Sequence, residues 1–197
     1  MNSFKTSLHN ETTFYPEFIN DLNESKSEVI IESPFITTKR MKTLFPVLNR
    51  LNNRGIKVFI ITRDPKEHKL EYQDQSETEI EAFEDVGIQV FLSNGNHHRK
   101  LAIIDRRVLW EGSLNILSQT KSKEIMRRLD GGGFARDMFN FLNFKKYIYQ
   151  MLYSQHMTKL SNGYQITQAD IDSAIKYLKF VDKVKSPIRE DAIKLLE

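Results

Sequence analysis

A chain of 197 residues with 40% hydrophobic and 28% charged residues has a globular composition, with room for one domain and a small appendage. It has no cysteine, which excludes disulfides, zinc–thiolate sites and cysteine nucleophiles. The net charge of +3 is compatible with a polyanionic partner without requiring one.

The sequence has no pattern typical of a membrane-spanning helix or of a signal peptide. The longest apolar runs, such as 58–61, are far shorter than the roughly 20 residues that a membrane-spanning helix needs. Residues 1–14 lack an apolar stretch followed by a small-residue cleavage site. We therefore expect a cytoplasmic protein with no transmembrane segment.

The beginning of the chain is predicted to form a loose segment, a helix and a strand. Residues 1–13 are polar and are expected to be loose. The apolar spacing over 14–23 predicts a short helix. The apolar run at 29–31, which ends before Pro34, predicts a buried strand.

A second helix and strand are predicted next. Thr37 is typical of an N-cap, and Gly55 stands where a C-cap glycine belongs. The apolar run at 57–62 predicts another strand, and strand, helix and strand in succession indicate a right-handed parallel crossover. The helix between them is indicated by apolar residues on one face: Met41, Leu44, Phe45, Leu48 and Leu51.

The middle of the chain is predicted to add one helix and four strands. Residues 65–75 are charged and lack apolar rhythm, so we expect a loop there. The predicted helix covers 77–86. The predicted strands are 88–92, 101–104, 108–110 and 124–129.

The end of the chain is interpreted as a separate small part. Helical spacing is present over 134–153, and the composition shifts near Thr158. The residues after this shift have the start signals of short helices. We therefore divide the chain into a main domain, 1–157, and a C-terminal helical extension, 158–197.

The stretch from His98 to Asn115 carries the chemically informative residues. On a strand, residues i and i+2 face the same side, so His98 and Lys100 can point into one pocket. Gly112 would permit a tight bend that returns Ser113 and Asn115 to that pocket. An imidazole, a fixed positive charge and neutral hydrogen-bond donors together suit a cluster of phosphate oxygens.

With Asp105, these residues complete the pattern H-x-K-x4-D-x6-G-S-x-N, which resembles the HKD signature of the phospholipase D superfamily. The predicted elements over roughly 14–150 are similar to the first half of that family's fold. The resemblance implies an α/β fold, with a mixed, mostly parallel central sheet flanked by helices in an αβα sandwich. The helical appendage would lie outside that sandwich.

The resemblance also implies a mechanism with a phosphohistidine intermediate. One histidine attacks phosphorus, a second protonates the leaving oxygen, and water activated by the second releases the product. By the same resemblance, Lys100 and Asn115 hold non-bridging phosphate oxygens. Ser113 supports them through a hydrogen bond, and Asp105 supports the structure around the site.

Two further side chains have competing interpretations. Some relatives use a downstream glutamate to orient the histidine through its other ring nitrogen, and Glu124 is the candidate here. The competing interpretation is a plain salt bridge from Glu124 to Arg127 or Lys123. His97 is interpreted as an ordinary strand-edge residue, with substrate contact as the alternative.

The implied mechanism needs two histidines, whereas the sequence holds one copy of the motif. A second half-site is therefore expected from another chain, most simply in a twofold homodimer that brings two copies of His98 together. The mechanism requires no metal or cofactor, and we identify no cluster of metal ligands. The remaining histidines have no lysine two residues later: His9, His68, His97 and His156.

Small size, a single motif and basic surroundings favour a nuclease or related phosphodiesterase, with DNA ahead of RNA as substrate. Residues 109–115 are similar to phospholipase D-type domains that occur beside helicases and restriction enzymes, so such a protein is an expected partner. The alternatives are a phospholipase or phosphatidyltransferase acting on lipid, and a catalytically silent nucleic-acid-binding module. Relatives that act on lipid usually carry two motifs in a longer chain.

The basic residues around the motif have two interpretations of equal weight. They form either a solvated face or a rim that follows the phosphates of a nucleic acid. The set comprises Arg99, Arg106, Arg107, Lys121, Lys123, Arg127 and Arg128.

Overall fold

The computed structural model describes residues 3–119, 121–148 and 167–168. The chain divides into two compact units, 1–142 and 143–197, and the elements below belong to the first. In chain order they are β1 (Phe4–Asn10), α1 (Phe14–Glu24), β2 (Glu28–Glu32), α2 (Thr38–Asn53), β3 (Lys57–Arg63), a 3-10 turn (Pro65–Glu67), α3 (Leu70–Asp85), β4 (Gln89–Ser93), β5 (Leu101–Ile104), β6 (Val108–Gly112), β7 (Ile125–Gly131) and α4 (Phe134–Phe141).

Seven strands form one sheet in the order β1-β7-β6-β5-β2-β3-β4. This confirms the predicted mixed sheet flanked by helices. Parallel pairing is confined to β2, β3 and β4, and the remaining pairs are antiparallel, so the expectation of a mostly parallel sheet is corrected. The reason is that β5, β6 and β7 follow one another without a crossover helix, which parallel neighbours would need.

The centre of the sheet is buried on both faces. All five residues of β2 are buried, which matches its predicted apolar run. On one face, Trp110 of β6 packs edge-on against Phe14 and Phe18 of α1. The indole nitrogen of Trp110 donates a 2.7 Å hydrogen bond to Asp21, so the largest buried side chain is satisfied.

The prediction that residues 1–13 are loose is wrong. Residues of β1 pair with β7 along its whole length, from Phe4 with Gly131 to Asn10 with Ile125. Six of the seven side chains of β1 are exposed. Because main-chain hydrogen bonds rather than burial hold this edge strand, its side chains carry no clear alternation of apolar and polar residues.

The third helix is longer than its apolar pattern. α3 begins at Leu70 rather than at residue 77, so part of the predicted loop over 65–75 is helical. Its first turn exposes Leu70 and Tyr72, which explains the missing apolar rhythm. Among the residues that the structure describes, no helix has both the length and the apolar character to cross a membrane.

The predicted helix over 134–153 is interrupted. α4 ends at Phe141, and a turn follows over 142–144, where Asn143 has a φ of 51°. The predicted domain boundary after residue 157 and the helical extension beyond it lie outside the described residues, apart from 167–168. They stay predictions.

Candidate active site

Four strand ends meet at one edge of the sheet: β2 ends, β5 begins, β6 ends and β7 begins there. The strand register places Glu32 beside Leu101, and Gly112 beside Met126. At β2, parallel pairing on one side changes to antiparallel pairing on the other. Open α/β sheets commonly bind ligands beyond the carboxyl ends of strands, and the motif histidine and lysine lie beyond the carboxyl end of β2.

His98 and Lys100 contact each other directly. The ammonium nitrogen of Lys100 lies 2.8 Å from Nδ1 and 3.2 Å from Nε2 of the His98 ring. It also donates a 2.6 Å hydrogen bond to the carbonyl of His98. The structure thus places these two motif side chains together.

Lys100 is held in a partly dehydrated position, with a relative exposure of 8%. Burial lowers the pKa of its ammonium from the ordinary value, and the charge of Glu124 partly opposes this effect. A positive charge with little water around it interacts strongly with a phosphate oxygen, because the local dielectric constant is low.

The residues on either side of His98 turn to a buried carboxylate that the sequence analysis missed. Arg99 donates two hydrogen bonds to Oε1 of Glu32, at 3.0 and 2.6 Å, and Nε2 of His97 lies 3.5 Å from the same oxygen. Glu32 is fully buried. A signal was available, since an acidic residue that ends a buried apolar strand needs a partner.

His97 is therefore a buried residue and not an exposed strand edge. Burial, followed by the charges of Arg99 and Lys100, lowers its pKa to about 4 from the ordinary 6.5. Near neutral pH the imidazole of His97 is uncharged.

Gly112 is required by a close approach of β7. A Cβ atom at this position would overlap the carbonyl oxygen of Ile125 and lie 2.8 Å from the sulfur of Met126. The next residue, Ser113, exchanges hydrogen bonds with Ile125: its N–H donates at 2.9 Å, and its hydroxyl accepts at 3.1 Å. The tight bend expected at Gly112 is thus a close contact with β7, and Ser113 is hydrogen-bonded to the same strand.

Asn115 lies where the chain leaves β6 for a short turn. Its carbonyl accepts hydrogen bonds from Ser118 at 3.0 Å and Gln119 at 2.7 Å. Its side-chain oxygen is buried without a hydrogen-bond partner among the described residues. The side-chain oxygen of Asn115 is thus a buried acceptor that no described donor satisfies.

Asp105 lies at the far end of β5 from His98. Its carboxylate accepts hydrogen bonds from the N–H groups of Lys26, Ser27 and Glu28, and from the hydroxyl of Ser27, at 2.6–3.1 Å. These bonds fix the turn that leads into β2. The structural support that the resemblance implied for Asp105 is therefore given to the opposite edge of the sheet.

Glu124 precedes β7 and makes neither of the two predicted contacts. Its carboxylate accepts a 2.7 Å hydrogen bond from the hydroxyl of Ser122. Among the described residues it has no salt bridge to Lys123 or Arg127 and no hydrogen bond to His98. Its charge partly offsets the lowering of the Lys100 pKa that burial causes.

A cavity of about 660 Å³ joins the motif residues at this edge. Lys100, Ser113 and His98 line it together, whereas Asn115 and Glu124 are not among its lining residues. Its outer wall combines the cation of Arg127 with exposed apolar side chains: Leu8, Ile125 and Phe141, which have relative exposures of 68%, 62% and 84%. Within 3–119 and 121–148, no group of three or more His, Asp or Glu side chains is arranged to hold a metal ion.

The structure separates the seven basic residues around the motif into two sets. Lys121, Lys123 and Arg127 form no ion pair with any residue described here, and Arg127 alone of these lines the cavity. The other four are paired with acids: Arg99 with Glu32, Arg106 with Glu28, Arg107 with Asp130, and Arg128 with Asp21 and Asp130.

Comparison with known proteins identifies the family and relatives of similar fold. The family model described as the PLD-like domain of cardiolipin synthase matches residues 18–138. The phospholipase D family member Nuc from Salmonella typhimurium has a TM-score of 0.57 and 17% identity, covering 72% of this chain and 91% of that one. NucT from Helicobacter pylori has a TM-score of 0.56 and 24% identity, covering 77% and 98%.

A third solved structure, the phosphatidylserine synthase of Haemophilus influenzae, has a TM-score of 0.49 and 16% identity, and covers 66% of this chain and 35% of that one. No curated protein sequence matches the chain significantly. At these identities the structural likeness to Nuc and NucT concerns the fold.

Proposed function

Because the chain belongs to the phospholipase D superfamily, we propose that it hydrolyses phosphodiester bonds of nucleic acid at a site shared by two copies of the chain. The observation that carries this proposal is the cavity in which His98, Lys100 and Ser113 meet. A nucleophile beside a dehydrated cation suits a reaction at phosphorus, where charge on the equatorial oxygens must be stabilised.

In the proposed first step, a ring nitrogen of His98 forms a bond to phosphorus, and the bond to the leaving oxygen breaks. The second histidine gives its proton to that oxygen. Water then attacks the phosphohistidine, its proton passes to the second histidine, and the bond between nitrogen and phosphorus breaks. Lys100 and the side-chain NH2 of Asn115 hold the non-bridging oxygens. For this, Lys100 moves from the ring to the phosphate, and the Asn115 side chain turns towards the cavity, which it does not line in this structure.

The second histidine is proposed to be His98 of a second copy of the chain. Of the four histidines in the described residues, only His98 lines the cavity. His9 bonds Ser7 and packs on Trp110, and His68 bonds Ser76. A further support is the exposed apolar wall beside His98, because an exposed apolar patch commonly marks a protein interface.

Nucleic acid is proposed as the substrate because the cations near the cavity fit a chain of phosphates. Arg127 in the cavity wall and Lys121 before β7 form no ion pair with the acids among the described residues. Lys123 is close enough to Glu11 for its charge to lower the pKa of that carboxyl, so it is partly neutralised. Cations that no acid neutralises attract the phosphates on either side of the one being cleaved.

A lipid phosphodiester is the second candidate, and one observation favours it. The side chains of Leu8, Ile125 and Phe141 expose apolar surface at the cavity that contains His98. Acyl chains could cover that surface in place of a second copy of the chain. Both candidates use the same chemistry at phosphorus, so the substrate must be found by assay.

The test incubates the protein with plasmid DNA, single-stranded DNA, RNA, bis(p-nitrophenyl) phosphate and phosphatidylglycerol vesicles, with and without EDTA. The variant is His98→Ala, and the matched control is His9→Ala, which removes a histidine that lies outside the cavity. We expect EDTA-resistant cleavage of nucleic acid that His98→Ala abolishes and His9→Ala retains. Turnover of vesicles alone would replace the proposal with the lipid candidate, and binding without turnover would reject an enzyme.

A further inference from the structure

We propose that Glu32 is a positioning residue, which holds His98 and Lys100 in their reactive orientation by binding the side chain of Arg99, the residue between them, and by packing against His97, the residue before them. This inference rests on the proposed function, because it assigns a role in that reaction. Glu32 itself does not line the cavity. Its effect is transmitted through His97 and Arg99.

The geometry of the contact carries the inference. Nε and Nη2 of Arg99 donate to Oε1 of Glu32 at 3.0 and 2.6 Å, and Nε2 of His97 lies 3.5 Å from the same oxygen. Glu32 is the last residue of β2 and is fully buried, so its carboxylate is attached to the most enclosed strand of the sheet. This buried oxygen therefore binds the Arg99 side chain, while the His97 ring packs beside it without a hydrogen bond from its Nε2.

The contact with Glu32 affects the orientation of His98 and Lys100 because these residues are neighbours of Arg99 in the chain. Residues 97 and 99 reach Glu32, while the ammonium of Lys100 reaches the ring and carbonyl of His98. Because the segment 97–100 precedes β5 and has no regular structure of its own, the two hydrogen bonds from Arg99 to Glu32 restrict the backbone that carries His98 and Lys100 on either side of Arg99. Catalytic groups need such support, because a misplacement of about 1 Å can reduce the rate ~100-fold.

The strand offers a built-in control at its other end. Glu28 is the first residue of β2, is also fully buried, and binds an arginine, Arg106, at 2.6 Å. Its surroundings belong to the edge of the sheet that lacks His98. If Glu32 served stability alone, its substitution and that of Glu28 would have the same consequences.

The experiment compares Glu32→Gln and Glu32→Met with Glu28→Gln and Glu28→Met. Glutamine keeps an acceptor oxygen for the arginine, whereas methionine fills a similar volume without one. We avoid substituting Arg99, because it lines the cavity and can touch substrate. The readouts are kcat and KM on bis(p-nitrophenyl) phosphate, and the thermal midpoint of unfolding.

We expect kcat to fall ~10-fold in Glu32→Gln and ~100-fold in Glu32→Met, with KM changed less than about threefold, because positioning acts on the reacting groups rather than on binding. The Glu28 variants should lose thermal stability to a similar degree while kcat stays within about twofold of the wild type. Equal losses of kcat in the two series, or unchanged kcat in Glu32→Met, would overturn the inference.

A readout without turnover separates this inference from the proposed function. The chain has five histidines, so the Cε1 proton of His98 can be assigned by NMR with single substitutions. We expect this resonance to shift in the Glu32 variants and to stay in place in the Glu28 variants. A wild type that cleaves no phosphodiester would reject the function but leave the shift to be observed, and active wild type with an unmoved His98 resonance in Glu32→Met would reject only the positioning role.

Discussion

β2 has a buried carboxylate at each end, and the surroundings of the two differ. At Glu28, the nearby polar groups are paired: Asp105 accepts four hydrogen bonds, and Arg106 binds Glu28. At Glu32, the carboxylate is paired with Arg99, but the neighbouring cavity holds a dehydrated Lys100 and exposed apolar side chains.

The difference separates stability from activity within one sheet. Groups that are fully paired in the folded chain have no capacity left for a substrate, and they stabilise the turn into β2. At the His98 edge, some polar groups lack partners: the buried side-chain oxygen of Asn115 accepts no hydrogen bond from the described residues. Such unmet capacity costs stability, and it is characteristic of sites that gain their partners from a ligand or another subunit.

The largest effect is expected on the turnover of dimers that combine a wild-type subunit with a His98→Ala subunit. If two histidines share one site, a dimer with one wild-type and one His98→Ala subunit lacks half of the machinery, and we expect at least ~1,000-fold lower turnover in it. Random reassortment of equal amounts leaves about a quarter of the dimers wild type, so activity per total protein should be about a quarter rather than about a half. Mixing experiments with sedimentation analysis distinguish these values, and an outcome of one half would contradict a shared site.

At the opposite edge, the substitution Asp105→Ala should act on stability and leave catalysis intact. It removes the acceptor of four hydrogen bonds and places alanine at a φ of 51°, a left-handed conformation that aspartate tolerates better. We expect a loss of about 3 kcal/mol in the free energy of unfolding, measured by denaturant titration.

The control for this substitution is Asp105→Asn, which keeps an oxygen acceptor and should lose less stability. Below the unfolding transition, kcat of either folded variant should match the wild type within about twofold, because Asp105 has no contact with the cavity. A specific loss of kcat with unchanged stability would contradict the separation of the two edges.

Burial of side chains explains which parts of the fold could be predicted from the sequence. Buried strands such as β2 and β3 have continuous apolar runs, and their pairing follows from the crossover between them. β1 was missed because main-chain bonds to β7 hold it while its side chains are exposed. Pattern-based prediction detects burial, and so it cannot detect an edge strand of this kind.

The candidate site was predictable where its residues lie within one short stretch. His98, Lys100 and Ser113 belong to the motif, and the structure brings them to one cavity. Glu32 was missed because only the pairing of β2 with β5 brings it beside that stretch. Asp105 shows the converse: a motif residue can be near in sequence and lie at the other edge of the sheet.

A pH-dependent prediction tests the burial of His97 at the Glu32 edge. Its folded-state pKa of about 4 lies below the ordinary 6.5, so between these values the unfolded chain binds a proton that the folded chain does not. Stability is therefore fully present above pH 6.5 and declines as the pH falls towards 4. By about pH 5 this one residue should cost about 2 kcal/mol.

The measurement compares wild type with His97→Gln by denaturant unfolding near neutral pH and at about pH 5. Glutamine does not titrate, so the variant should lose about 2 kcal/mol less than the wild type over this interval. Equal losses in the two proteins would show that His97 is accessible to protons in the folded chain, contrary to its burial against Glu32.

The smallest effect is expected from the cation in the cavity wall. Arg127→Ala should raise KM for an oligonucleotide about tenfold, which corresponds to ~1.4 kcal/mol. It should also reduce the slope of the salt dependence by about one, because one phosphate contact is lost. The matched control is Arg107→Ala, since Arg107 is 71% exposed but is paired with Asp130 outside the cavity. Its kinetics should be unchanged, and neither substitution should affect bis(p-nitrophenyl) phosphate, which has no neighbouring phosphate. If Arg127→Ala weakened both substrates alike, or dissociated the dimer in sedimentation, Arg127 would serve the reacting phosphate or the interface, and the assignment of nucleic acid would lose this support.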